Sequence, residues 1–309
     1  MLTILTALIP IIVLTALGYV LERSKLIPET QWSGIERLTY FALFPCVLFK
    51  SIALADFASL PSIEVGLTLL ATILTMITLV LLLRPFMERR FGINGPRYTS
   101  IFQGSVRWNG FLALALGNSL LGDEGVALLA IAMVVMIPVL NVSSILVLSR
   151  YGASDKAPSV GKIARDLATN PFNIAIVLGI LGNLVSLPIT GPALTTINML
   201  GGGALAIGLL CVGASIDLHS LRRPGPALTF ATVIRLLIGP LVGAGFAALF
   251  GLQGSALIVI LIACTVPSAS NAFLLARLMG GDAKLMAEIL TLQSVVSIVT
   301  IPVLLALLG

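Results

Sequence analysis

The chain has 309 residues, 58% of them apolar and 10% charged, with a formal net charge of +5 and a mean hydropathy of +1.11. A soluble domain carries about 25% charged residues, so this composition excludes a water-soluble enzyme, a disordered chain and a nucleic-acid-binding domain. Cys46, Cys211 and Cys264 lie far apart in apolar runs and propose neither a disulfide framework nor a metal site.

About 20 apolar residues cross the ~30 Å of hydrocarbon in a bilayer. Ten such runs follow one another, near 3–21, 36–55, 62–83, 99–121, 124–149, 171–188, 193–215, 226–250, 254–278 and 282–308. The first has no Lys or Arg ahead of it and no small-residue cleavage site behind it, so it reads as a retained span and not a signal peptide. The second holds Pro45, expected to break it beside a site, and Lys50, expected to reach outward beside Asp56. The fourth carries Gln103-Gly104-Ser105-Val106-Arg107-Trp108-Asn109-Gly110, and the fifth has Asn141 after Pro138. A polar connection of about 150–170 forms the seam between halves. In the seventh run Gly201-Gly202-Gly203 suits close helix packing. His219 follows at a solvated helix end beside Arg222. The eighth run holds Arg235, expected to pair structurally or reach an interface. The ninth carries Thr265-Val266-Pro267-Ser268-Ala269-Ser270-Asn271, and the tenth has a polar stripe of Gln293, Ser294 and Ser297.

Basic residues fall in alternate connections: Arg23 and Lys25, then Arg84, Arg89, Arg90 and Arg97, then Arg150, Lys156, Lys162 and Arg165, then Arg222 and Arg223, then Lys284. The intervening connections carry acids such as Asp56, Asp123 and Glu124. Lys and Arg are retained on the cytoplasmic side. The pattern therefore predicts a multi-pass membrane protein with both termini external.

The two halves, 1–155 and 156–309, echo each other. Pro10 matches Pro171 and Gly18 matches Gly179, both 161 apart. Phe91-Gly92-Ile93-Asn94-Gly95 matches Phe250-Gly251-Leu252-Gln253-Gly254 at 159, and Asn109-Gly110-Phe111-Leu112 matches Asn271-Ala272-Phe273-Leu274 at 162. Ile137-Pro138-Val139-Leu140 matches Ile301-Pro302-Val303-Leu304 at 164. Five spans per half is an odd number, so the second copy enters the membrane from the opposite face. The expected fold class is an all-α polytopic membrane protein of ten transmembrane helices in two inverted five-helix repeats. Secondary transporters with this plan hold substrate near the midplane, where discontinuous helices meet.

The fourth and ninth runs are the most polar at mid-depth. Pro267 removes a backbone donor and clashes with the preceding turn, leaving carbonyls near 263 and 264 without helical partners. Arg107 stands about 15 Å into its span at ~1.5 Å per residue, where an Arg costs ~2.5–3.5 kcal/mol on insertion scales. Its repeat equivalent is Ala269, so the symmetric scaffold does not demand the charge. Arg107 is expected to attract an anion, with Asn109 and Asn271 as paired hydrogen-bonding groups. The bland alternatives are an ion pair with Glu288 or Asp217, and helix–helix glue for the asparagines.

Arg107-Trp108-Asn109-Gly110-Phe111, Pro267-Ser268-Ala269-Ser270-Asn271-Ala272-Phe273, Gly280-Gly281-Asp282 and Thr300-Ile301-Pro302 together resemble the auxin efflux carrier family, which includes the plant PIN carriers. Gly18-Tyr19, Leu26-Ile27-Pro28 and Phe44-Pro45 fit as well, and the short connection at the seam resembles the bacterial branch. The resemblance implies a scaffold domain and a transport domain, with the broken fourth and ninth helices crossing as in sodium–bile-acid symporters. It implies organic anions as substrates, with Asn109 and Asn271 at the positions that hold the carboxylate. PIN carriers have a proline before each of these asparagines; here Trp108 and Ser270 stand there.

The expected function is secondary transport of a small mono- or dicarboxylate by alternating access, with no enzymatic activity and no cofactor. The expected substrate site is Arg107, Asn109, Asn271, Pro267, Ser270, Ser268, Gln293 and Pro45, with no metal or catalytic residue. Partners are the organic anion, membrane lipid, H+ or Na+ as candidate coupling ion, and a homodimer as candidate assembly. A sodium-coupled symporter of bile-acid type, with oxygens from Ser268, Ser270 and Gln293, and an anion channel are the alternatives. A single histidine excludes an HExxH zinc site, and no phosphate-cradling Gly-Lys loop is present.

Overall fold

A computed structural model describes residues 2–56, 60–153, 161, 165, 168–218, 225–269 and 271–309. Among these, every regular element is helical. In chain order they are α1 (Leu2–Arg23), α2 (Glu29–Leu38), α3 (Phe44–Ala53), α4 (Ser62–Phe91), α5 (Gly95–Val106), α6 (Gly110–Tyr151), α7 (Pro171–Leu184), α8 (Gly191–Ala214), α9 (Pro226–Val233), α10 (Gly239–Leu249), α11 (Gly254–Thr265), α12 (Asn271–Leu278) and α13 (Ala283–Leu308). By length and composition, Ser62–Phe91, Gly95–Tyr151, Gly191–Ala214, Pro226–Leu249 and Ala283–Leu308 could each cross a membrane, and Pro171–Leu184 and Gly254–Thr265 are shorter apolar helices. These are the elements of a polytopic membrane protein.

Two proline-bearing runs share a local solution. A proline inside a helix clashes with the carbonyl four residues back. Pro45 is preceded by a π-helical turn at Thr39–Leu43, closed by Phe44 N–H donating to the Thr39 carbonyl. Pro240 is preceded by another at Ile234–Ile238, closed by Gly239 N–H to the Ile234 carbonyl. The wider turn gives each ring room, so both runs continue as helix. Pro45 thus widens its helix by one turn and does not interrupt it. In α6 the chain reverses at Gly122 (φ 63°, ψ −144°), a conformation only glycine adopts readily, which separates the fourth and fifth apolar runs.

The chain divides into two compact units, 1–62 with 111–134 and 164–215, and 63–110 with 135–163 and 216–309. Each unit draws on both sequence halves. In the first, α1 packs on α8 so closely that a Cβ on Gly18 would strike the Leu210 carbonyl. Asn183 donates from Nδ2 to the carbonyls of Ile52, Ala53 and Ala55 at 3.2, 3.1 and 2.8 Å, closing the end of α3. Phe44 stacks on Phe111 with ring centroids 4.3 Å apart. Lys50 pairs with Asp123 at 3.7 Å.

The second unit contains both interrupted helices, α5 and α11. Helix α5 packs on α9 and α13. A Cβ on Gly104 would sit 2.6 Å from Ile289 Cγ2 and 3.4 Å from Ala231 Cβ, so the absence of a side chain lets three helices converge there. At its start, Asn94 accepts from Arg97 N–H at 3.1 Å and caps the helix. Asp282 ties this end to α13: its N–H donates to the Pro96 carbonyl at 3.1 Å, its carbonyl accepts from Ser100 Oγ at 2.8 Å, and its carboxylate caps α13.

Candidate functional site

The two breaks lie in one unit and touch. Helix α5 stops at Val106; Arg107 is extended (φ −73°, ψ 157°), and helix resumes at Gly110. Helix α11 stops at Thr265; Val266 is extended (φ −64°, ψ 146°), and helix resumes at Asn271. The second break has a local cause, because a residue before proline is pushed out of the α region and Pro267 follows Val266. The first has no proline and is held open from across the unit. Asn109 N–H donates to the Pro267 carbonyl at 2.8 Å instead of continuing its own helix.

Gln293 of α13 holds both breaks at once. Its Oε1 accepts from Ser268 N–H at 2.9 Å, and its Nε2 donates to the carbonyls of Gly104 at 2.8 Å and Ala231 at 3.1 Å. Ser268 Oγ donates to the Gln103 carbonyl at 3.3 Å. Of the polar stripe on α13, only Gln293 reaches the breaks: Ser294 and Ser297 donate to carbonyls of their own helix. Gln293 and Ser268 are therefore fully engaged with backbone, and they fix geometry here. Gln103 is wholly buried, and both atoms of its amide lack a hydrogen-bond partner.

Arg107 is buried, with 6% of its surface exposed. It donates from Nη2 to Asn271 Oδ1 at 3.0 Å and from Nη1 to Ser144 Oγ at 3.3 Å. A guanidinium has donors only, so it fixes the orientation of the Asn271 amide: oxygen toward Arg107, NH2 away from it. Asn271 is exposed and opens α12, while Asn109 is buried and immediately precedes α6. Both asparagines thus stand at the N-terminal end of a resumed helix. The positive partial charge at a helix N-terminus favours an anion. Guanidinium, amide NH2 and helix N-terminus add up to a donor-rich, positively charged spot.

Arg235, extending from the second π-turn, is the feature least visible beforehand. It is buried, with 4% exposed, and donates from Nη2 to the Ala263 carbonyl at 2.7 Å and from Nε to the Val266 carbonyl at 2.8 Å. Ala263 is four residues before Pro267, so its carbonyl is one that the proline deprives of a helical donor. Of the other expected site residues, Pro45 belongs to the first unit. Ser270, His219, Arg222, Arg223, Lys156 and Lys162 lie outside the described residues.

An all-helical polytopic membrane protein with two helices broken against each other at polar, buried segments has the build of a membrane carrier. Residues 3–305 match the family described as membrane transport protein, and the chain belongs to that family, the auxin efflux carriers. It is similar to a protein named "Uncharacterized transporter" from Methanothermobacter thermautotrophicus (strain Delta H), with 26% identity over 295 residues, 94% of each chain.

Proposed function

We propose that this membrane transporter is a secondary carrier of small carboxylates, moving mono- or dicarboxylates across a bacterial inner membrane by alternating access. Its ten crossings form two inverted five-helix repeats with both termini external. Arg107, Asn109 and Asn271 contact the carboxylate, joined by Ser270; Pro267, Ser268 and Gln293 hold the broken backbone in shape.

The observation that carries the reading is Arg107, buried where two breaks meet and bonded to the amide oxygen of Asn271. A fixed positive charge at that depth is costly, and the groups it orients are donors. Landmarks of the backbone support the inverted repeat. Helices α5 and α11 both have 12 residues and start 159 apart, at Gly95 and Gly254. Gly92 (φ 62°) and Gly251 (φ 68°), also 159 apart, precede them in the same left-handed conformation. Two units of similar build and opposite sense can adopt inward- and outward-open packings of nearly equal energy.

The test is uptake into proteoliposomes of purified full-length chain, using labelled malonate, malate, succinate and indole-3-acetate. At least one is expected to accumulate saturably, with unlabelled carboxylates competing. Arg107→Gln is expected to abolish that uptake while its elution and thermal unfolding stay as in the native chain. Undiminished uptake by this variant would remove Arg107 from the site.

A further inference from the structure

Discontinuous helices leave carbonyls pointing into the membrane interior, and in many carriers these carbonyls and half-helix C-termini coordinate the coupling Na+ or H+. In this chain the carbonyls of Gln103, Gly104, Ala263 and Val266 at the two breaks all accept hydrogen bonds from the protein's own groups. The end of α5 is served by neutral donors: Gln103 O accepts from Arg107 N–H and Ser268 Oγ, and Gly104 O accepts from Gln293 Nε2. The end of α11 is served by a cation, with Arg235 bonded to Ala263 O and Val266 O.

Arg235 makes these two hydrogen bonds to carbonyl oxygens and, among the described residues, no ion pair with a carboxylate. Its charge is therefore set against carbonyl dipoles and the negative end of the α11 macrodipole. That is the environment a bare sodium ion seeks, several oxygens at a helix break. The side chain is aimed there by the π-turn at Ile234–Ile238, which rotates the helix ahead of Pro240. Pro267, which frees the Ala263 carbonyl, and Arg235, which takes it up, form one device.

We infer that Arg235 is a tethered cation filling the place of a coupling sodium ion at the α11 break, and that this carrier works without sodium. Arg235 is a positioning residue: it holds the break in which Pro267, Ser268 and Asn271 are set. The inference rests on the breaks being the transport site, but its first readout needs no substrate.

The experiment measures thermal unfolding of the detergent-purified full chain in sodium chloride against choline chloride at equal ionic strength. The native chain is expected to unfold at the same temperature in both. Arg235→Ala is expected to unfold about 5 °C or more lower and to recover part of that loss, saturably, when sodium or methylguanidinium is added. Saturable stabilisation of the native chain by sodium would overturn the inference. So would an Arg235→Ala variant as stable as the native chain, or one that no cation rescues. Should Arg235→Ala fail to fold, Arg235→Lys and Arg235→Met separate charge from bulk: Lys is expected to unfold several degrees above Met, and equality would overturn the claim. Carboxylate uptake with and without sodium is scored separately. If no carboxylate is carried, the substrate reading fails while the sodium measurements stand on their own.

Discussion

In the proposed substrate site, the Arg107–Asn271 bond would decide which atoms a carboxylate meets. With its oxygen committed to the guanidinium at 3.0 Å, Asn271 offers hydrogens outward. Asn271→Asp keeps the bond to Arg107 but places an acceptor and a negative charge where the donor stood. Carboxylate affinity is expected to fall by about tenfold or more, some 1.4 kcal/mol, while thermal stability is kept or improved; titration calorimetry with the best carboxylate checks it. Asn109→Ala and Asn271→Ala are expected to raise the half-saturation concentration. Gln103 makes a different case. A buried amide without partners costs about 1–3 kcal/mol, so Gln103→Leu is expected to raise the unfolding temperature. A simultaneous loss of uptake would mark the amide as finding its partner in another state of the cycle. The sequence pointed to Arg107 and both asparagines because a charge and two amides in apolar runs are conspicuous. It could not give their mutual arrangement, since Arg107 and Asn271 are separated by 164 positions.

Among elements, the two interruptions have unlike causes. Pro267 made the α11 break legible, and the expected orphan carbonyl at 263 is where Arg235 binds. The α5 break was legible only as a polar, glycine-bearing stretch, because its cause lies elsewhere: the Pro267 carbonyl and the Gln293 amide hold it. Gln293 was expected in the substrate site as part of a polar stripe; its reach to Gly104, 189 positions away, is a tertiary fact that no local pattern encodes. Gln293→Leu removes the partners seen here for Gly104 O and Ser268 N–H in a buried place, while Ala231 O keeps its bond from Ile234 N–H. The expected loss is about 3 kcal/mol or more, read as a lowered unfolding temperature. Gln293→Glu, which keeps only acceptors, should be nearly as harmful, since two of the three bonds need a donor.

At the scale of the molecule, hydropathy and run length pointed to several apolar helices, and five helices among the described residues are long and apolar enough to cross a membrane, as the cost of polar groups in hydrocarbon requires. These signals did not indicate which runs pack together. The compact units take 63–110 with 216–309, and 1–62 with 164–215, pairings that depend on small-residue contacts such as Gly18 against Leu210. Topology is checked by single cysteines in a background lacking Cys46, Cys211 and Cys264. Arg90→Cys is expected to react with a membrane-impermeant maleimide only in inside-out vesicles, and Asp123→Cys only in intact cells. Labelling of both from one side would dismantle the inverted repeat.

The committed oxygen of Asn271 has a consequence in the chemistry of weak acids. The proposed site, which presents hydrogens and positive charge, would recognise a cargo by its ionised form and give little purchase to the protonated acid, its methyl ester or its amide. Transport should thus follow the dissociated fraction and not the total concentration. As the surroundings acidify toward the cargo's own dissociation constant, flux should decline even though the total amount of acid presented is unchanged.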